Sequence, residues 1–109
     1  MTQYEIWWAD LPGAAGRRPV LLLSRPTAYR YLDRVCVCEV TTTVRGIPQE
    51  VRVGTREGLR RASVASLDNI QMVPRSRLSA RIGALSPARV AEIKRAAGYA
   101  FDWVELKGN

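Results

Sequence analysis

The chain has 109 residues, 47% of them apolar and 25% charged, which is the make-up of one globular domain with a single core. Its formal net charge of +7 rests almost wholly on arginine, since Lys94 and Lys107 are the only lysines; that surface favours a polyanionic partner, and the guanidinium fork suits phosphate. The absence of histidine excludes a Ser-His-Asp triad, a Cys-His pair and a two-histidine ribonuclease, and no apolar run approaches the roughly eighteen residues of a membrane span.

In chain order the pattern is one of short strands. Ile6 to Ala9 is β-prone and stops at the turn residues Asp10 to Gly13. Pro19 to Ser24 is a continuous apolar run, as expected of a strand buried on both faces. Pro26 breaks it, and Thr27 to Leu32 fits a loop or one helical turn. Strand character resumes from Val35 to Val40. Within it Cys36 and Cys38 point to the same side, roughly 6–7 Å apart along the chain, and both read as small apolar core residues rather than as a disulfide or a zinc pair. Thr41 to Pro48 is a turn region, and Glu50 to Gly54 a short alternating strand. Thr55 to Arg61 reads as a loop, Ala62 to Leu67 and Asn69 to Pro74 as two strands, and Ala80 to Gly83 as a last short one.

The end of the chain is helical. Ser86 is a natural N-cap with Pro87 at the first helical position, and Val90, Ile93, Ala97 and Phe101 form one apolar stripe. Gly98 weakens the helix or marks its end. These signals predict one domain over residues 1–102 and a loosely held tail over 103–109. The fold class is mainly β (α+β), a compact barrel or sandwich with a C-terminal helix. The opening carries an early acid and lacks the form of a signal peptide, so a cytoplasmic location is expected.

Phosphate-cradling glycine loops are missing, and the ten carboxylates are scattered along the chain, so neither a nucleotide-binding loop nor a two-metal nuclease is indicated. Arginines, hydroxyls and a few acids remain, a set able to bind phosphate and stabilise added charge without a cofactor or metal. RNA can be cut with that set because its 2′-OH lies beside the phosphate and attacks it intramolecularly.

Six segments, in order, resemble the MazF/PemK toxin family. They are E-I-W-W-A-D-L from Glu5, G-R-R-P-V-L-L-L-S from Gly16, V-T-T-T from Val40, P-Q-E-V from Pro48, S-V-A-S-L-D-N-I from Ser63 and R-L-S-A-R-I-G-A-L-S from Arg77. The match runs from about Glu5 to Ala97. The resemblance implies an SH3-like β-barrel, a homodimer, and a type II toxin that cuts single-stranded mRNA at short sequences without metal. It also implies an antitoxin whose acidic or disordered C-terminal segment lies across the RNA groove. Carried onto this chain, the catalytic pair is Arg18, holding the scissile phosphate, and Thr41, bonding a phosphate oxygen; solvated loop charge and turn-capping hydroxyl are the plain alternatives. Asp68 is a third candidate, for proton transfer or simply as a turn residue. Here Asn69 stands where relatives carry Gln, and Ser66 where some place Arg. The loop Pro12 to Arg18 is shorter than in many relatives, so their cleavage sequence does not transfer.

Arg17, Arg25, Arg45 and Arg75 are candidates for RNA phosphates, with a solvated surface as the plain alternative, and Trp7, Trp8, Tyr29 and Tyr31 for stacking on bases, with core packing expected for at least one tryptophan. Two other functions suit a basic barrel of this size. A CcdB-like gyrase-poisoning toxin would act through its C-terminal residues, and a non-catalytic nucleic-acid-binding barrel would hold RNA without cutting it.

Overall fold

Two apolar faces explain the strand pattern. The computed structural model describes residues 1–13 and 16–108 and contains six strands and two helices: β1 (Glu5–Asp10), β2 (Arg17–Leu22), α1 (Ala28–Tyr31), β3 (Arg34–Thr41), β4 (Glu50–Val53), β5 (Ser63–Pro74), β6 (Leu78–Ala84) and α2 (Val90–Phe101). The strands form one antiparallel sheet in the order β4-β5-β3-β2-β1-β6. Because side chains alternate across a strand, β2 sends Leu21 into a core with Ile6, Cys38, Val40, Val53 and α2's Ile93, and sends Val20 and Leu22 into a second cluster with Val35, Val37, Tyr29 and Val73. Leu21 is fully buried, so truncation to Ala would cost about 2–5 kcal/mol.

The sheet curls into a barrel-like form, and β4 and β6 remain its hydrogen-bonding edges. The gap is closed by backbone packing. Gly58, in the left-handed region at φ +93°, and Gly83 let the 3₁₀ turn Thr55–Glu57 press onto β6; a Cβ on Gly83 would stand 1.9 Å from the Glu57 carbonyl oxygen. Arg89 ties the start of α2 to this seam. It donates to both Glu92 oxygens (2.8 and 3.0 Å), to the Arg52 carbonyl (2.6 Å) and to buried Glu57 (3.5 Å).

Four expectations are corrected. Ala62–Leu67 and Asn69–Pro74 are one strand, β5, interrupted by a bulge, because Leu67 is anchored in the core and the chain resumes pairing at Ile70. The buried face of α2 carries Ile93 and Ala96, flanked by Ala97 and Ala100, whereas Phe101 is about half exposed and stacks on Trp103 at 4.7 Å. The Ser86 hydroxyl accepts a hydrogen bond from the Ala88 N–H as expected of an N-cap, but it caps a 3₁₀ turn, Pro87–Arg89, and the α-helix begins only at Val90. The tail folds back, with Val104–Leu106 forming a 3₁₀ turn against Gly98 and Lys107 pairing with Asp102 at 2.7 Å. Finally, Cys38 is buried but Cys36 only partly so; both are free thiols, and burial pushes Cys38 up to about 12. Of the first loop, Ala14 and Ala15 lie outside the described residues.

Candidate active site

A polar cleft begins where the second apolar cluster runs out. Val20 and Glu39 are register partners on β2 and β3, as are Leu22 and Val37. One alternation step outward, the same face carries Arg18 on β2 and Thr41 on β3. Across β3, β5 and β4 the row continues as Glu39, Ser66 and Glu50, each the register partner of the next. The apolar face thus becomes polar over two residues, and a cleft of about 200 Å³ opens there, lined by Arg18, Glu39, Thr41, Arg45, Glu50, Ser66, Asp68 and Asn69, together with Thr43 and Ile47.

The β5 bulge builds one wall. Cys38 pairs with Ile70 and Glu39 with Ser66, so Leu67, Asp68 and Asn69 have no partner on β3. Leu67 is 2% exposed and its N–H donates to the Gln49 carbonyl at 2.9 Å, which fixes the bulge from below. Asp68 and Asn69 are exposed above it, and the Asn69 amide donates to the Ser66 hydroxyl at 3.3 Å.

The opposite wall is the segment 42–49, shaped by Glu50. Its carboxylate accepts the backbone N–H groups of Arg45 (3.1 and 3.2 Å) and Gly46 (2.9 Å), and Gly46 sits at φ +73°, where a side chain would be strained. The turn therefore holds Arg45 over the cleft. The Thr41 hydroxyl oxygen accepts the Thr43 N–H at 3.1 Å, which leaves its own proton to be donated to a ligand. Among the described residues no acid stands within ion-pair distance of Arg18 or Arg45. Two guanidiniums and three carboxylates in one small cleft can hold a phosphate and exchange a proton beside it.

The sequence candidates divide. Arg18, Thr41, Asp68 and Arg45 meet in the cleft. Arg17 and Trp8 occupy a separate groove on the other face of the same strands, with the guanidinium carbon 5.2 Å from the Trp8 ring centroid. Arg25 and Arg75 lie elsewhere. Arg25 donates to Thr27 Oγ1 at 3.1 Å beside α1, and Arg75 bonds the Tyr29 carbonyl at the far end of β3 and β5. Charge alone did not say which end of the sheet each arginine occupies. Trp7 is partly buried and packs on the edge of the second cluster. Glu39, Glu50, Ser66 and Asn69 were missed as site residues. Glu39 carried a signal: it interrupts the apolar run at the phase of Val35 and Val37, where an inward-facing acid needs a reason.

A protein-family model described as PemK-like, MazF-like toxin of type II toxin–antitoxin systems matches residues 2–101. The chain is 43% identical over 89 residues to Endoribonuclease MazF3 of Mycobacterium tuberculosis, spanning 80% of this chain and 86% of that protein. It is 36% identical over 99 residues to Probable endoribonuclease MazF5 of the same species, spanning 90% of each. Among solved structures it resembles Mycobacterium tuberculosis toxin MazF-mt6, with a TM-score of 0.84, 40% identity, and coverage of 90% of this chain and 96% of that one. An endoribonuclease in complex with its cognate antitoxin from Mycobacterial species is similar at a TM-score of 0.82 and 27% identity, covering 94% and 95%.

Proposed function

Since the chain belongs to the PemK-like, MazF-like toxin family of type II toxin–antitoxin systems and is an endoribonuclease, we propose that the Arg18–Thr41–Asp68 cleft is its active site and that it cuts single-stranded mRNA, at short sequences, by attack of the RNA's own 2′-OH. The observation that carries this reading is the convergence of those three side chains, from β2, β3 and β5, on one face of the sheet.

The Arg18 fork binds two non-bridging oxygens of the scissile phosphate and strengthens its hold as charge accumulates on the phosphorane. Thr41 donates its free proton to one of the same oxygens. The 2′-oxygen forms its bond to phosphorus as the bond to the 5′-oxygen breaks. The proton leaving the 2′-oxygen passes to the Asp68 carboxylate and from there to the departing 5′-oxygen. The step consumes no water and no net proton, and it leaves a 2′,3′-cyclic phosphate and a 5′-OH. No metal is required, because the nucleophile is already in place and Arg18 supplies the countercharge. DNA, which has no 2′-OH, is spared.

The same reading includes a homodimer and a cytoplasmic setting. Its inhibitor is a cognate antitoxin whose acidic segment covers the cleft, competing with RNA for Arg18 and Arg45. The test is to incubate the purified protein with a long single-stranded RNA in excess EDTA and map the new ends. Cyclic phosphate and 5′-OH termini support the reading; cutting that stops with EDTA, or ends bearing a 5′-phosphate, would replace it with a metal-dependent mechanism.

A further inference from the structure

Behind the cleft, on the other face of β2 and β3, lies a larger groove of about 650 Å³ with a different charge balance. Three arginines line it, Arg17, Arg60 and Arg61, together with Trp8 and Thr42, and no carboxylate is among its lining residues. None of these guanidiniums has an acid within ion-pair distance among the described residues.

Arg17 is held in place by a ring, and Arg60 and Arg61 project from a constrained stretch of backbone. Arg17 lies over the Trp8 ring at 5.2 Å, a cation–π contact that occupies the face a base would otherwise use. Arg60 and Arg61 follow a segment with little freedom. A Cβ on Gly58 would stand 2.4 Å from the Ile82 carbonyl oxygen, Leu59 is buried, and the Ser63 hydroxyl donates to the Arg61 carbonyl at 3.1 Å. The backbone is fixed and both side chains are exposed. The groove also adjoins the cleft through consecutive residues, Arg17 next to Arg18 and Thr42 next to Thr41, so the two share a wall one residue thick.

We propose that this groove is a phosphate-binding subsite for the stretch of RNA flanking the cut, with Arg17, Arg60 and Arg61 as its ligands and Trp8 as the positioning residue for Arg17. The proposal rests on the cleft being the cutting site. A strand whose scissile phosphate sits at Arg18 leaves over the edge formed by Arg17 and Thr42, and its next phosphates meet the unpaired forks. RNA is the occupant this assigns, because the chain is an endoribonuclease whose substrate strand runs on beyond the bond it cuts; an acidic protein segment is the alternative that the binding test separates.

The test uses the double variant Arg60→Gln/Arg61→Gln and binding rather than cleavage. Two RNAs carry a 2′-deoxy nucleotide at the cut, one confined to the cut site and one extended on both sides, and anisotropy is followed across salt. The extended RNA should bind about tenfold more weakly, with its salt slope reduced by roughly 1.4, as two lost phosphate contacts on a single strand dictate. The short RNA should bind as before. Trp8→Leu should weaken the extended RNA too, and Trp8→Phe should restore it. Unchanged affinity and slope on extended RNA would overturn the subsite. So would loss of binding to an oligoglutamate peptide with RNA binding intact, which would assign the groove to a protein partner. Because no bond is broken, this measurement stands apart from the Arg18 test; loss of the subsite with normal Arg18-dependent cutting would sink only the subsite.

Discussion

Arg18 and Thr41 lie on the same face one alternation step beyond the Val20–Glu39 pair, so a guanidinium and a hydroxyl from strands nineteen residues apart in sequence at that pairing (20 and 39) share one cleft. The arrangement follows from strand register, and it makes the pair separable from the fold. Arg18→Ala should lower kcat by about 10²–10³-fold, the effect of losing one preorganised donor to a developing anion. Arg18 is exposed, so the melting temperature should hardly move. Arg18→Lys should recover little, since a single ammonium does not reproduce the fork. Single-turnover kinetics and a thermal melt check both halves.

Thr41 offers a finer contrast. Its oxygen accepts the Thr43 N–H and its proton is free. Thr41→Ser keeps both functions and should stay close to the parent. Thr41→Val keeps the shape and loses both, and a hydrogen bond to a charged oxygen is worth about 1.5–3 kcal/mol, or roughly 10–100-fold in kcat. Equal rates for the two variants would remove Thr41 from the mechanism.

Glu50 is expected to act on binding rather than on the chemical step. It fixes the turn that carries Arg45 by accepting two backbone N–H groups. Glu50→Ala should raise KM for RNA and cost about 1–3 kcal/mol of stability, with the cleavage products unchanged. Steady-state kinetics beside a denaturant titration would separate these effects.

Much of this was legible in the sequence for a physical reason. Strand-prone composition and alternation gave β1, β3 and β4, and the apolar run from Pro19 gave β2, whose Val20, Leu21 and Leu22 are buried on both faces because apolar residues fill both phases, although the strand itself runs from Arg17 to Leu22. Arg18, Thr41 and Asp68 came from motif resemblance, which carries register information that periodicity lacks. The β5 bulge was not legible, because a looped-out Asp68 and a turn Asp68 look the same in one dimension. Nor were Glu39 and Glu50, whose roles depend on which strands become neighbours. Nor was the position of Arg25 and Arg75 away from the cleft, for the same reason.

The helix end gives a prediction whose sign runs against propensity. A mid-helix Gly→Ala normally stabilises by about 1 kcal/mol. At Gly98, however, a Cβ would stand 2.8 Å from Leu106 and from the Lys107 nitrogen. Gly98→Ala should therefore lower the melting temperature by several degrees, or release the tail, visible as faster amide exchange at Leu106 and Lys107.

Acid should weaken the fold through two carboxylates. Glu92 is held below its ordinary value of 4.5, chiefly by hydrogen bonds from Arg89. At Glu5, burial pulls upward, but the Arg81 hydrogen bond with those of the Thr2 N–H and the Trp7 indole outweighs it, and the net shift is down. A depressed folded-state value means stability that is fully present above 4.5 and is lost as pH falls through the folded values. Melts of the parent should fall across that acid limb, and the Glu5→Gln/Glu92→Gln variant should show a shallower one; identical limbs would rule these two groups out.

The nucleophile is the centre of the account, and a single atom tests it. An RNA cut by the protein would be resynthesised with one 2′-deoxy nucleotide on the 5′ side of the cleaved bond and incubated beside the all-ribose strand. The modified strand should bind with similar affinity and remain whole at that bond, while other susceptible bonds are cut normally. Continued cutting at the modified bond would mean that an external nucleophile, not the RNA, attacks the phosphate held by Arg18.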